Sequence, residues 1–261
     1  MDRDERVASY IDSLRPDGPG YLKELEEYAY KNDIPIIRPA MRDLIRSILT
    51  MHKPMAILEI GTAIGFSALY MREYAPAGAH ITTIENYPPR IEEAKKNFAA
   101  YDPTGQITLI EGDAVEIVAG IAGNGDNMDL GSHEMGPDMV GTGDNMSTDS
   151  HEMGPDMPEA ISADERTRIP AQFDLIFMDG PKGQYLGMYE DVKKLLVTGG
   201  VLLSDNIFKD GEILESRYAV NRRERTIHTR MREYLHRLTH DEDYTTSILP
   251  LADGVAISVR T

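Results

Sequence analysis

Short apolar runs and amphipathic stretches take turns along most of the chain. Residues 5–14 and 21–32 place apolar side chains three and four positions apart, and a third such stretch, 40–52, follows Pro39. All three read as amphipathic helices. AILEI (56–60) reads as a buried strand, followed by a glycine turn and a helix over about 65–75. HITTIE (80–85) is a second strand leading into the helix PRIEEAKKNFAAY. QITLIE (106–111) is a third, with a short helix from Ala114. FDLIFMD (173–179) is a fourth, then a helix at about 184–197, then GGVLLSD (199–205) and an Arg-rich helix over about 220–239. YTTSILP (244–250) and GVAISVR (254–260) flank an Ala-Asp-Gly turn and read as a hairpin. The alternation predicts an α/β fold: a mostly parallel seven-stranded sheet, helices on both faces, and a C-terminal antiparallel hairpin. In such sheets ligands sit beyond the carboxyl ends of the strands.

Residues 121–165 break the pattern. GDNM at 125–128 returns at 143–146, and HEMGPDM at 133–139 returns at 151–157. The segment has eleven Asp or Glu, no Lys or Arg, and neither a helical nor a strand period. It reads as a flexible acidic insertion in a surface loop; His133, His151 and its methionines read as parts of that duplicated loop rather than as soft-metal ligands. The formal net charge is −17, but without this segment the chain carries −6. Whole-chain charge is therefore a poor guide to the surface that meets a ligand. The rest fits one domain, with N-terminal helices over 1–52. There is no cysteine, no apolar run of membrane-spanning length and no signal-like start, so a cytoplasmic protein with no membrane partner is expected.

Acids close three successive strands. Glu59 precedes the turn of LEIGTAIGFSA, Glu85 ends the second strand, and Asp113 follows the third in EGDA. Gly61 and Gly65 are spaced G-x-x-x-G, which is not the dinucleotide fingerprint, and Glu59 would repel a phosphate. A ligand bearing an ammonium and a sulfonium tolerates that carboxylate. An acid at Glu85 can accept bonds from ribose hydroxyls, and Asp113 lies where an adenine ring would. Each acid alone also fits an ordinary N-cap. Together they point to S-adenosylmethionine.

FMDGPKGQY and LLSDN form a second group. Asp179 ends one strand and Asp205-Asn206 the next, so neighbouring strands bring two carboxylates and an amide oxygen to one sheet edge. These are hard ligands suited to Mg²⁺. Lys182 stands three residues after Asp179, placed to take a proton from a hydroxyl that the metal acidifies. Desolvation would tune the lysine for this work.

With these residues in view, LEIGTAIGFSA, TIE, EGDA, DGPKGQY and SDN resemble the cation-dependent O-methyltransferases related to catechol O-methyltransferase. IPII, GTAIG, KGQY, RRERT and TSILPLADGVAISVR resemble in particular the bacterial tRNA 5-hydroxyuridine methyltransferases. The resemblance spans about residues 5–120 and 166–260. It implies a class I S-adenosylmethionine-dependent methyltransferase fold and Mg²⁺ at Asp179, Asp205 and Asn206. It also implies a methyl donor lying along Glu59, Gly61, Ser67, Glu85, Asp113, Ala114 and Asp179, with Ile37 closing over it. A homodimer and a tRNA anticodon partner go with that branch. Two departures stand out: Gly180-Pro181 where Ala-Ala is usual, and the acidic insertion.

Catechol and 5-hydroxyuracil both offer two vicinal, coplanar oxygens, so the metal set alone does not choose between a small phenol and a wobble uridine. Residues 217–237 carry seven arginines against two acids. Arg222, Arg223 and Arg225 are the candidate phosphate contacts, although a solvated helix face or an oligomer contact would have the same composition. His228, His236 and His240 read as surface residues of that helix. Tyr87, Tyr185 and Phe208 are the aromatics available to stack a flipped base.

Overall fold

The computed structural model describes residues 3–123, 169–209, 211–216 and 218–261. Seven strands, β1 (Ala56–Ile60), β2 (His80–Glu85), β3 (Ile107–Glu111), β4 (Phe173–Met178), β5 (Leu196–Ser204), β6 (Tyr244–Leu249) and β7 (Val255–Arg260), form one sheet. Their order is β3-β2-β1-β4-β5-β7-β6. The first five run parallel, and β7 runs antiparallel to both its neighbours. The helices are α1 (Arg3–Ser13), α2 (Gly20–Lys31), α3 (Pro39–His52), α4 (Phe66–Tyr74), α5 (Pro88–Tyr101), α6 (Ala114–Gly123), α7 (Tyr185–Leu195) and α8 (Arg225–His240).

The strands are apolar at nearly every position because both faces are covered. Leu58, Ile60, Ile176 and Met178 pack with α6, α7 and α8. Ile57, Leu175 and Phe177, pointing the other way, pack with α2, α3 and α4. Successive strand residues thus feed two separate cores, as the two-residue period of a strand requires.

Hydrogen bonding continues beyond the strand ends and builds the site. Gly61 N–H reaches Ile84 O (3.0 Å), Asp179 N–H reaches Ile60 O (2.9 Å), and Asp205 N–H reaches Met178 O (3.0 Å). The corners after β1, β4 and β5 therefore stand side by side. Only glycine fits at 61: its φ is +106°, and a Cβ there would lie 2.6 Å from Asp179 O.

Three expectations change. The Arg-rich helix begins at Arg225 rather than about 220. Asn221–Glu224 is a turn closed by Glu224 N–H on Asn221 O (2.9 Å), so Arg222 and Arg223 precede the helix. Second, α6 runs on through Gly123, with Ile121 7% exposed in the core. Its apolar period (114, 117, 118, 121) carries it into the first three residues assigned to the insertion. The repeat, His133 and His151 lie outside the described residues. Third, the stripe of α1 is not buried: Val7, Tyr10, Ile11 and Leu14 are all exposed. Among the described residues no helix is long and apolar enough to cross a membrane.

Candidate active site

A cavity of about 590 Å³ opens over the carboxyl ends of β1, β2, β4 and β5. Its walls carry Gly61 and Glu85 at one end and Asp179, Lys182, Asp205 and Asn206 at the other. Ile37 and the loop between α2 and α3 border it as well. Ile37 is 3% exposed. Sequence positions as far apart as 37 and 206 meet here because each follows or faces a strand end.

Lys182 opens a single 3₁₀ turn, Lys182–Gln184, just before α7. Its Nζ lies 3.4 Å from Asp179 Oδ1 and donates to Tyr185 Oη at 3.0 Å. Tyr185 is fully buried and gives its own proton to Met178 O at 2.7 Å. Burial, with the charge of Asp179 next, pushes the Tyr185 phenol well above its ordinary pKa, so it stays protonated and presents lone pairs to the lysine. Tyr185 is therefore a support beneath Lys182 rather than an aromatic platform at the cavity edge. Phe208 is likewise partly buried against the core. Tyr87 does border the cavity, at 53% exposure.

Asp205 is 3% exposed. Burial pushes its pKa up to about 6, the charge of Asp179 adds to the rise, and Asn206 N–H, Lys182 and Arg38 oppose it. Asp179 is also raised by burial, against the pull of Lys182. Asn206, at φ +53°, breaks the extended path after β5, so two adjacent side chains are freed from pointing to opposite faces. Two buried carboxylates with raised pKa values and one amide oxygen fit a hard divalent cation. Among the described residues no three His, Asp or Glu side chains gather as a metal group; the set here is two acids and an amide.

At the other end, Glu85 Oε2 accepts Ala63 N–H (2.8 Å), and Oε1 accepts the N–H groups of Asn86 and Tyr87 (both 3.0 Å). A carboxylate has about four acceptor sites, so the anchoring uses three and leaves about one for a hydroxyl. Glu59 is fully buried on the α4 side of β1, and Thr83 donates to its Oε2. Burial pushes it up to about 7; the hydroxyls of Ser67 and Thr83 pull it down, and the charges of Asp179 and Glu85 add to the rise. Its Oε1 has no hydrogen-bond partner. An unpartnered buried oxygen beneath the glycine turn fits a donor's ammonium. Ser67 is buried in the first turn of α4. Asp113 serves as a cap: Oδ1 accepts Val115 N–H (2.8 Å), and Oδ2 accepts Gln184 Nε2 (3.1 Å). Its neighbours Gly112 and Ala114, rather than its own side chain, form the cavity wall.

None of the described arginines between 222 and 237 lines the cavity. Arg222 and Arg223 are exposed, and Arg225 donates to Val220 O (3.3 Å). Arg230 donates to Gly183 O (3.1 Å), tying α8 to the turn that carries Lys182. Arg217 lies outside the described residues. His228 is not on the surface: it is 3% exposed, with Nε2 3.1 Å from Glu215 O. Sequence reasoning missed Arg38, Arg90, Gln184 and Tyr30, which all line the cavity. One signal was available. Arg90 falls in the first turn of α5, where the helix dipole disfavours a cation, and its guanidinium sits over the Tyr87 ring at 5.7 Å.

Comparison with known proteins fits this geometry. An O-methyltransferase family model matches residues 156–261, and a methyltransferase-domain family model matches residues 58–207. The O-methyltransferase ankF of Aspergillus thermomutatus is 27% identical over 162 residues, 61% of this chain and 48% of that protein. The catechol O-methyltransferase of Niastella koreensis is 22% identical over 179 residues, 69% of this chain and 61% of that protein. The chain thus spans about half to three fifths of the length of these curated relatives. The O-methyltransferase TomG of Streptomyces achromogenes, solved in complex with S-adenosylmethionine, superposes over 100% of both chains with a TM-score of 0.71 at 18% identity. Strand order and superposition give the class I S-adenosylmethionine-dependent methyltransferase fold, and the methyltransferase-domain match runs from β1 through the Asp205-Asn206 corner. With more than half of its length matched, the chain belongs to the methyltransferase-domain family.

Proposed function

We propose that this protein transfers a methyl group from S-adenosylmethionine to a hydroxyl oxygen that has a second oxygen beside it. The observation that carries this is Lys182, held between Asp179 and Tyr185 on the wall that also bears Asp205 and Asn206. Asp179, Asp205 and Asn206 would hold Mg²⁺, which would make the acceptor hydroxyl easier to deprotonate. The donor, along Gly61, Glu85 and Ala114 with Glu59 beneath, would supply the methyl of its sulfonium and leave as a thioether. As a neutral amine, Lys182 still gives one N–H to Tyr185 while its lone pair takes the acceptor's proton. Ile37 shields the exchange from water.

For the acceptor we infer 5-hydroxyuridine at the tRNA wobble position, giving 5-methoxyuridine. The support is the group of cations at residues 222–232, tied to the catalytic turn through Arg230. A catechol-like phenol is the second reading, favoured by the likeness to the Niastella koreensis protein. Incubation with Mg²⁺, labelled donor and either tRNA bearing 5-hydroxyuridine or free catechol, followed by mass spectrometry, separates them. Methylated nucleoside from tRNA supports the first; methylated catechol with unmodified tRNA overturns it.

A further inference from the structure

Arg38 stands on the cavity wall without a partner. It is exposed, and no hydrogen bond or ion pair holds its side chain among the described residues. The other described arginine on that wall, Arg90, is committed to the Tyr87 ring. Its backbone is nonetheless firmly set. It is the extended N-cap residue of α3 (φ −66°, ψ 154°), between Ile37, which is 3% exposed, and Pro39 in the first turn. A proline restricts the residue before it to such extended geometry. Arg38 lines the same cavity as Asp179, Asp205 and Asn206, so it can meet a ligand bound at the acceptor end.

Charge counting leaves Arg38 in surplus. A divalent ion held there would offset Asp179 and Asp205, Lys182 would serve as the base, and Arg90 is stacked over Tyr87. An unpaired guanidinium fork carried on a set backbone beside such a cavity suits an oxyanion in bidentate fashion. We propose that Arg38 recognises an anionic group carried by the acceptor beside its reacting ring: a phosphate if the acceptor is a nucleotide, a carboxylate if it is a phenolic acid. This rests on the methyl-transfer reading of the site but not on either choice of acceptor.

The test uses two matched pairs: 5-hydroxyuridine against its 5′-monophosphate, and catechol against 3,4-dihydroxybenzoate. For wild type, KM for the anionic member of at least one pair should be about tenfold lower, as a partly exposed charge-assisted bond allows; the pair that responds identifies the source of the anion. Arg38→Gln should bring that ratio close to one, and Arg38→Lys should restore part of it. Equal KM within both pairs for wild type, or an undiminished ratio in Arg38→Gln, overturns the proposal. So does a ratio that survives while the affinity for S-adenosylhomocysteine falls, since the arginine would then serve the donor. The four dissociation constants, measured by calorimetry with S-adenosylhomocysteine present, need no turnover. Preferential binding of the anionic member, lost in Arg38→Gln, without methyl transfer from wild type, would sink the reaction assignment and sustain the arginine's role. Equal binding by wild type would overturn that role whatever the reaction.

Discussion

Replacing Tyr185 by Phe tests the support beneath Lys182 with little else disturbed. The ring, fully buried and edge-on to Tyr234 at 5.4 Å, keeps its packing. What goes is one oxygen, and with it the acceptor for Lys182 Nζ at 3.0 Å and the donor to Met178 O at 2.7 Å. Met178 O keeps Asp205 N–H at 3.0 Å, while Asp205 O loses a longer bond from Tyr185 Oη at 3.3 Å, and the stability loss should be about 1 kcal/mol. For a chain of this size that is a fall in Tm of roughly 2–4 °C. Lys182 loses its shortest contact, and the Asp179 carboxylate at 3.4 Å and the ring at 5.1 Å remain to orient it. A hydrogen bond between neutral groups is worth about 0.5–1.5 kcal/mol, so kcat should fall about 2- to 10-fold while KM for acceptor and donor changes little. Steady-state kinetics on whichever acceptor is turned over, beside thermal unfolding, separates the two effects. Wild-type kcat in a folded Tyr185→Phe protein would refute the view that this phenol aims the base.

Asp205→Asn should be more stable than wild type in metal-free buffer at pH 7, by about 2 kcal/mol. The sign follows from the raised pKa: ionising Asp205 weakens the fold as pH rises from about 4 to about 6, so denaturant midpoints should coincide near pH 4, and equal shifts at both pH values would contradict this. Divalent-ion affinity of the wild type, followed by calorimetry, should rise with pH as Asp205 and Asp179, both raised by burial, lose their protons. Asp241 behaves oppositely: burial alone would raise it, but bonds from Lys193, Tyr189 and Asp243 N–H hold it down to about 2. Asp241→Asn should therefore cost about 1–2 kcal/mol at neutral pH, a difference that closes as pH falls towards 2. Gly61→Ala should lower stability by about 1–3 kcal/mol and abolish transfer, because the added carbon must displace Asp179; an active, stable variant would show that this corner is pliant. Changing Arg222, Arg223 and Arg225 together to Gln should lower the salt slope of tRNA binding by roughly three; an unchanged slope would remove them from the phosphate surface.

The strand ends were legible because a buried strand must stop before it can turn. AILEI and HITTIE fall where the apolar runs predicted, and Asp179, Asp205 and Asn206 share a cavity wall as strand adjacency implied. Asp113 shows the limit of that logic. Its capping role and a ligand role have the same sequence signature, and only the bond from Gln184 distinguishes them. Tyr185 and His228 misled because periodicity marks a face of a helix without saying which neighbour covers it. Arg38 was invisible for the opposite reason: a lone cation in a loop has no pattern, and its meaning comes from what fails to pair with it.

The parallel pairing of β1 with β4 has a kinetic side. Ala56 N–H bonds the side chain of Asp174 across 118 residues of chain, and the acidic repeat lies inside that span. Lengthening a closed loop from about 73 to 118 residues costs only about 0.4 kcal/mol of closure entropy. A long tract is thus tolerated at this crossing at almost no cost to equilibrium stability. Speed is another matter, since contacts distant in sequence form slowly. Gly61 meets Asp179 only when β4 docks on β1, so the halves of the chain that carry Glu85 and the Asp205-Asn206 corner become one cavity in that long-range step. A folding intermediate with β1, β2 and β3 already paired would keep Glu85 anchored beside its turn while having no place for a cation.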